Sequence, residues 1–237
     1  MSGTTILNNV NYIKSNGTAT FSLSSSDADG HAITYYQNTT NSFSGASAIT
    51  GSSWSTSTGG TYYFWAKDSL GEPSSVSSKS FTKNVKPSAN GGNLTLARTS
   101  QYTSNQITNW LKDYYYTAGK ATITGVTSTC GVASYTWNIR TYDYSGGATT
   151  PTFNNDWKDY TSTTTTTNSC NYSYPTNGDW GKAYKIRCII TDKLGEQSNE
   201  IISEGYCVIP PAPSLDSDIW NTLNLSDVTG SLHKSFY

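Results

Sequence analysis

Charge is scarce in this sequence of 237 residues. Charged side chains make up 13% of it, with 15 Lys and Arg against 16 Asp and Glu and a net charge of -1. An average globular chain carries about 25%. A balance this close to neutral excludes nucleic-acid binding driven by a basic field. Histidine is nearly absent, with two copies, which narrows the acid-base chemistry on offer. Apolar runs are short. None approaches the roughly 18 residues of a membrane helix, so no span is expected. Met1-Ser2-Gly3-Thr4-Thr5-Ile6 has neither a charged start nor an apolar core, so no secretory leader is visible. Two expectations stay open: a leader removed from this chain, or export without one.

Catalytic motifs are missing too. There is no His-Glu-x-x-His, no Gly-x-Ser-x-Gly and no Gly-rich phosphate loop. Neither His31 nor His233 has a Ser or Cys partner implied by a motif. Carboxylates such as Asp68, Glu72, Asp192 and Glu196 fall in turns and read as solvated hairpin tips rather than an acid-base pair. No enzyme and no cofactor are expected.

What fills the chain is Ser, Thr, Asn, Gly and Tyr, with 13% aromatics, too many for a disordered segment. The helix signal is weak. Polar and apolar residues alternate, and turn residues recur every eight to twelve positions, the pattern of an all-β sandwich of short antiparallel strands. Thr18–Leu23, Ile33–Gln37 and Tyr62–Ala66 read as strands. In the last, Tyr62, Phe64 and Ala66 face in and Tyr63 and Trp65 face out.

A duplication is visible. Lys67-Asp68-Ser69-Leu70-Gly71-Glu72-Pro73-Ser74-Ser75 aligns with Thr191-Asp192-Lys193-Leu194-Gly195-Glu196-Gln197-Ser198-Asn199, 124 residues on. Asp-x-Leu-Gly-Glu reads as the tip of a hairpin whose Gly supplies a left-handed turn. The chain is therefore divided into domain 1 (residues 1–85), a larger domain 2 (86–210) and a tail (211–237), with a linker around Lys83–Ser88. The extra length of domain 2 lies in Ser104–Leu111, where Ile107, Trp110 and Leu111 have helical spacing, and in Tyr142–Pro175, expected as a long loop or irregular hairpin.

Ser26-Asp27-Ala28-Asp29-Gly30-His31-Ala32-Ile33-Thr34-Tyr35 with Gly60–Gly71 resembles bacterial and phage immunoglobulin-like domains, and cadherin-like and polycystic-kidney-disease-type repeats share these phrases. Ser134–Ile139 with Tyr184–Asp192 resembles the same family. The resemblance implies two tandem immunoglobulin-like β-sandwiches. It also suggests calcium for Asp27 and Asp29, but the linker lacks the carboxylates of cadherin linkers, and an Asp-Gly turn needs no metal. No metal site is expected.

Cys130, Cys170, Cys188 and Cys207 lack the two-residue spacing of a zinc knuckle. Cys188 takes the place of the second bridge cysteine of antibody-type domains. A Cys130–Cys188 bridge, a Cys130–Cys170 staple and simple buried thiols all stay open.

Tyr63 and Trp65, with Tyr142 and Tyr144, are the candidate binding residues, since exposed Tyr and Trp give large contact area at small entropic cost. Core filling is the competing reading. Ile219, Trp220, Leu223, Phe236 and Tyr237 are expected to make the tail a docking segment. The expected role is structural and adhesive: an exposed phage virion component of capsid-decoration or head-fibre type, since a particle released by lysis needs no leader. Its partners would be other virion or surface-assembly proteins and host surface glycan, in a symmetric assembly. A bacterial surface adhesin or stalk and a carbohydrate-binding module are the alternatives.

Overall fold

The computed structural model of the chain describes residues 1–89, 93–101, 116–145, 152–153, 158–174, 182–203 and 207–209. Among these the regular elements are all strands. They fall into two units. The first comprises Met1–Ser88, Val126–Ser134 and Ile190–Asn199; the second comprises Ala89–Gly125, Tyr135–Ile189 and Glu200–Tyr237.

The first unit contains β1 (Thr5–Leu7), β2 (Val10–Ile13), β3 (Ala19–Ser22), β4 (Thr34–Asn38), β5 (Ser47–Ile49), β6 (Ser53–Thr56), β7 (Gly60–Lys67) and β8 (Ser77–Lys83). One sheet runs β1-β2-β8-β7-β4-β5 and the other is β3-β6. Pairing is antiparallel except between β2 and β8, which run parallel with Tyr12 opposite Thr82. The core takes Phe21 from β3, Tyr62 and Phe64 from β7, Phe81 from β8, and Ile13, Ala19 and Ile49. Aromatic rings stand in for scarce aliphatics. Phe21 lies 4.9 Å from Phe64, and Tyr62 stacks on Phe81 at 5.7 Å. Each such ring contributes about 1.5–3 kcal/mol by burial.

The second unit holds β9 (Leu94–Gln101), β10 (Tyr116–Ile123), most of β11 (Val132–Ser145), β12 (Thr152–Phe153), β13 (Lys158–Thr165), β14 (Ser169–Ser173), most of β15 (Lys182–Asp192), β16 (Ile201–Ile202) and β17 (Cys207–Ile209). β14-β10-β9 form one sheet; β12-β11-β15-β16 form the other, with β13 on β11 and β17 on β15. This sets a sheet of the first, second and fifth strand type against one of the third, sixth and seventh, the immunoglobulin arrangement. Its hallmark Trp on the third strand is Trp137, 4% exposed. Along β15, Tyr184, Ile186, Cys188 and Ile190 all point inward and are fully buried. Tyr174 stacks on Tyr184 at 5.4 Å and helps fill the core. Both units are thus all-β sandwiches of immunoglobulin type.

Of the two readings left open for the segment from Tyr142, a long loop or an irregular hairpin, the described residues build strands. β13 pairs with β11, Thr163 opposite Trp137 and Thr165 opposite Tyr135, with a register shift at Ile139–Arg140. β-branched Thr suits an extended, exposed strand. Thr165 Oγ1 also accepts the Trp137 indole N–H at 2.9 Å. The helical spacing at Ser104–Leu111 lies outside the described residues, as does the tail with Ile219, Trp220, Leu223, Phe236 and Tyr237.

Candidate functional site

The outer face of β4 and β7 carries a group of aromatic rings. Alternation along β7 sends Tyr62 and Phe64 into the core and leaves Tyr63, Trp65 and Lys67 on the opposite face. Tyr36 on β4 pairs with Trp65. Tyr63 stacks against Trp65 at 6.5 Å.

Parity alone placed Trp65 on an exposed face, but it is buried, at 6% exposed. The segment between β4 and β5 folds over it and lays Phe43 edge-on against both Trp65 (5.8 Å) and Tyr36 (5.1 Å). This segment is held by its own polar groups. Asn38 Nδ2 donates to the carbonyls of Ser42 (2.8 Å) and Ser44 (3.4 Å), and the Ala46 N–H donates to the Phe43 carbonyl at 3.0 Å. Gly45 takes φ +80° to close the turn. Lys67 Nζ sits 5.8 Å from the Phe43 ring centre, a cation–π contact. Tyr36, Phe43, Tyr63 and Lys67 are half-buried. The face therefore offers ring surface beside a cation, over a Trp that acts as its floor. Sequence reasoning missed Phe43; the signal was an Asn38 cap and a Ser-Gly turn bracketing an isolated Phe.

The repeated hairpin tips form a second set. In the tip at Asp192, Oδ1 accepts the N–H groups of Leu194 and Glu196, each at 2.9 Å. Asp192, Leu194 and Glu196 are buried. So is Asn84, whose Nδ2 donates to Asp192 Oδ2 at 2.6 Å and Glu196 Oε2 at 2.8 Å. Glu196 also accepts from the Ser15 N–H (2.9 Å) and hydroxyl (2.6 Å). Burial works against the Glu196 charge, but the donors from Ser15 and Asn84 outweigh it and hold the carboxyl below its ordinary value. These two carboxylates are structural acceptors, not the solvated turn groups read from the sequence.

In the second unit, Arg140 donates both terminal nitrogens to Glu200 at 3.0 Å and Nε to Asp159 at 3.1 Å. Arg187 reaches Asp159 (2.6 Å), Glu200 (2.5 Å) and the buried Asn138 (2.9 Å). Two guanidinium groups and two carboxylates neutralise one another, so this cluster is a closed tie.

The ligand atoms of Asp27, His31 and Asp68 lie within 4.8 Å of one another. Asp29 is not among them. Asp27 Oδ1 accepts the N–H groups of Asp29 and His31, and Asp68 Oδ1 those of Leu70 and Gly71. The His31 N–H is the main influence holding the Asp27 carboxyl below its ordinary value. Turn formation accounts for where both carboxylates sit.

Cys130, Cys170 and Cys188 are free thiols. Burial foremost, with Cys170 nearby, pushes the Cys188 thiol up to about 12. It is therefore a core side chain and an inert nucleophile. Cys207 contributes backbone to β17, opposite Tyr184. Tyr142 and Tyr144 lie at the end of β11, where Tyr144 pairs with Phe153 through its backbone; their side chains fall outside the description.

No protein-family profile matches the chain, and no curated protein shows significant similarity to it. Among solved structures it is similar to fibronectin(III)-like modules of CbhA from Clostridium thermocellum, at 11% identity over 85% of this chain and 90% of that one, with a TM-score of 0.32. It is also similar to domains from titin, at 12% identity over 81% and 61% (TM-score 0.37), and to domains 7, 8 and 9 of the S-layer protein SbsC, at 13% identity over 84% and 60% (TM-score 0.20). These likenesses are distant, and the all-β immunoglobulin-type fold is read from the order of the sheets themselves.

Proposed function

We propose that this chain is a non-catalytic structural and adhesive module of an exposed assembly, a phage virion component of capsid-decoration or head-fibre type that binds host surface glycan. The observation that carries the adhesive part is the face of Tyr36, Phe43 and Tyr63 beside Lys67. Flat rings held rigid by neighbours present sugar-stacking surface at little cost in side-chain entropy. A near-neutral, polar chain is suited to crowded repetition on a particle surface.

Two experiments test this reading. Density-gradient banding of the native source, with the polypeptide located by mass spectrometry, is expected to place it with assembled particles. Banding with cell envelopes would replace the virion reading with that of a surface adhesin or stalk. Calorimetric titration with a polysaccharide panel is expected to give binding that Tyr63→Ala weakens at least tenfold. No heat across the panel, or binding indifferent to Tyr63→Ala and Tyr36→Ala, would sink the glycan assignment. Trp65→Ala is the wrong probe, because Trp65 is part of the packing.

A further inference from the structure

The two hairpin tips share a set of hydrogen bonds, though the Asp carboxylate accepts from Leu70 and Gly71 in the first and from Leu194 and Glu196 in the second. Ala66 donates its N–H to Ser74 Oγ at 3.0 Å and accepts the Ser74 N–H at 2.7 Å. Ile190 and Ser198 do the same at 3.0 and 2.9 Å. Ser74 Oγ donates to the Ser75 carbonyl, and Ser198 Oγ to that of Asn199. Each tip opens with an Asp whose Oδ1 accepts two backbone N–H groups, and each has its Gly at positive φ, Gly71 at +106° and Gly195 at +76°.

What differs is the surroundings. Leu194 is 8% exposed and Leu70 is 73% exposed. Glu196 is buried on Ser15 and Asn84, whereas Glu72 stands in solvent. The second tip is thus a seated plug: an apolar Leu enters, and a Glu carboxylate meets a Ser N–H, a Ser hydroxyl and an Asn amide. The first tip carries the same Leu and Glu in a similar turn, and there both side chains are exposed.

We propose that the Asp68–Glu72 tip is a second plug, for the strand end of another immunoglobulin-like domain that presents an Asn amide and a Ser N–H and hydroxyl as Asn84 and Ser15 do. This inference does not depend on what the aromatic face binds. The chemistry of the occupant is taken from the seated copy. It is not the end of this chain's own second sandwich. Phe81 pairs with Gly60 and Cys207 with Tyr184, so the position matching Asn84, three beyond Phe81, is Pro210, which has no amide. An exposed Leu on a hydrogen-bonded turn, beside a carboxylate whose counterpart is fully hydrogen-bonded, is a surface suited to this contact.

The first experiment vacates the socket in the full chain with Leu194→Ser and Glu196→Ser, leaving Ser15 and Asn84 free, and follows mass by sedimentation velocity at about 100 µM, a concentration suited to a weak interface of small area. The expected result is self-association beyond the 25.7 kDa monomer, as the free tip of one copy seats in the vacated socket of another. Adding Leu70→Ser and Glu72→Gln is expected to return the protein to monomer. A folded, vacated chain that stays monomeric overturns the proposal, and so does association that survives loss of Leu70 and Glu72.

The second experiment needs no vacated socket. The tips differ within Asp68–Ser74 and Asp192–Ser198 only at Ser69/Lys193 and Pro73/Gln197. A full chain carrying Lys193→Ser and Gln197→Pro therefore seats the first tip's sequence in the existing socket. Its urea midpoint is expected to stay within error of the parent. A loss as large as that of Glu196→Ala would show that the first tip's sequence is not a plug.

Discussion

Asn84→Ala is the sharpest test of how the buried tip is held. Asn84 is 1% exposed and its amide nitrogen donates to two carboxylates, at 2.6 and 2.8 Å. Hydrogen bonds to charged groups contribute about 1.5–3 kcal/mol each, and the burial leaves little access for replacement water. Asp192 keeps its two turn N–H donors and Glu196 keeps Ser15, so neither charge is stranded. The expected loss is therefore about 3 kcal/mol rather than the upper end of about 5 for an uncompensated buried charge. With a urea slope of about 2 kcal/mol per M, the midpoint falls by about 1.5 M. The assay is urea unfolding followed by tryptophan fluorescence, since Trp54 and Trp65 both lie in the first unit. Asn84→Asp, which places a third carboxylate against the first two, should cost more than Ala. A loss below about 0.5 kcal/mol for Asn84→Ala would refute the reasoning, because donors to two buried acceptors cannot be that dispensable.

Other outcomes follow from the same geometry. The folded Glu196 carboxyl lies below the ordinary 4.5, so the unfolded chain binds the extra proton; the contribution is present above pH 4.5 and lost as pH falls through the folded value. Glu196→Gln should flatten the acid limb of a stability–pH curve, and an unchanged limb would assign it to other groups. Trp65→Ala should cost about 3–5 kcal/mol in urea unfolding, as for other buried large aromatics, while Tyr63→Ala should cost far less; equal costs would mean that Phe43 does not cover Trp65. Cys188, with its thiol at about 12, should resist iodoacetamide at pH 8 in the folded protein and react once unfolded, as read by peptide mass spectrometry. Rapid labelling of the native protein would contradict its burial.

Much of the fold was legible because it follows local rules. The alternation in Tyr62–Ala66 assigned the inward and outward faces of β7, and the repeated Asp-x-Leu-Gly-Glu located both turns. Trp65 escaped because its cover, Phe43, belongs to a segment whose shape depends on Asn38 bonding to carbonyls four and six residues on. The burial of one tip and exposure of the other could not be read from nearly identical words. Glu196 finds Ser15 across 181 residues of chain, and nothing local to either tip encodes that partner. For β13 the sequence left a loop and an irregular hairpin both open, for another reason. As an exposed strand it needs no apolar alternation, so a run of Thr carries no period to detect.

The parallel pairing of β2 with β8 has a mechanical consequence. Tyr12 and Ile13 lie beside Thr82 and Lys83, and the Asn84 N–H donates to the Ile13 carbonyl at 2.9 Å. Tension that pulls the chain before β2 away from the chain after β8 acts along both strands at once. Parallel neighbours then slide against one another, and their evenly spaced hydrogen bonds share the strain instead of opening one at a time as in a peeled hairpin. Resistance to such pulling is set by the rate of unfolding rather than by equilibrium stability. A module that holds a partner against flow or shear would draw its grip from these few bonds.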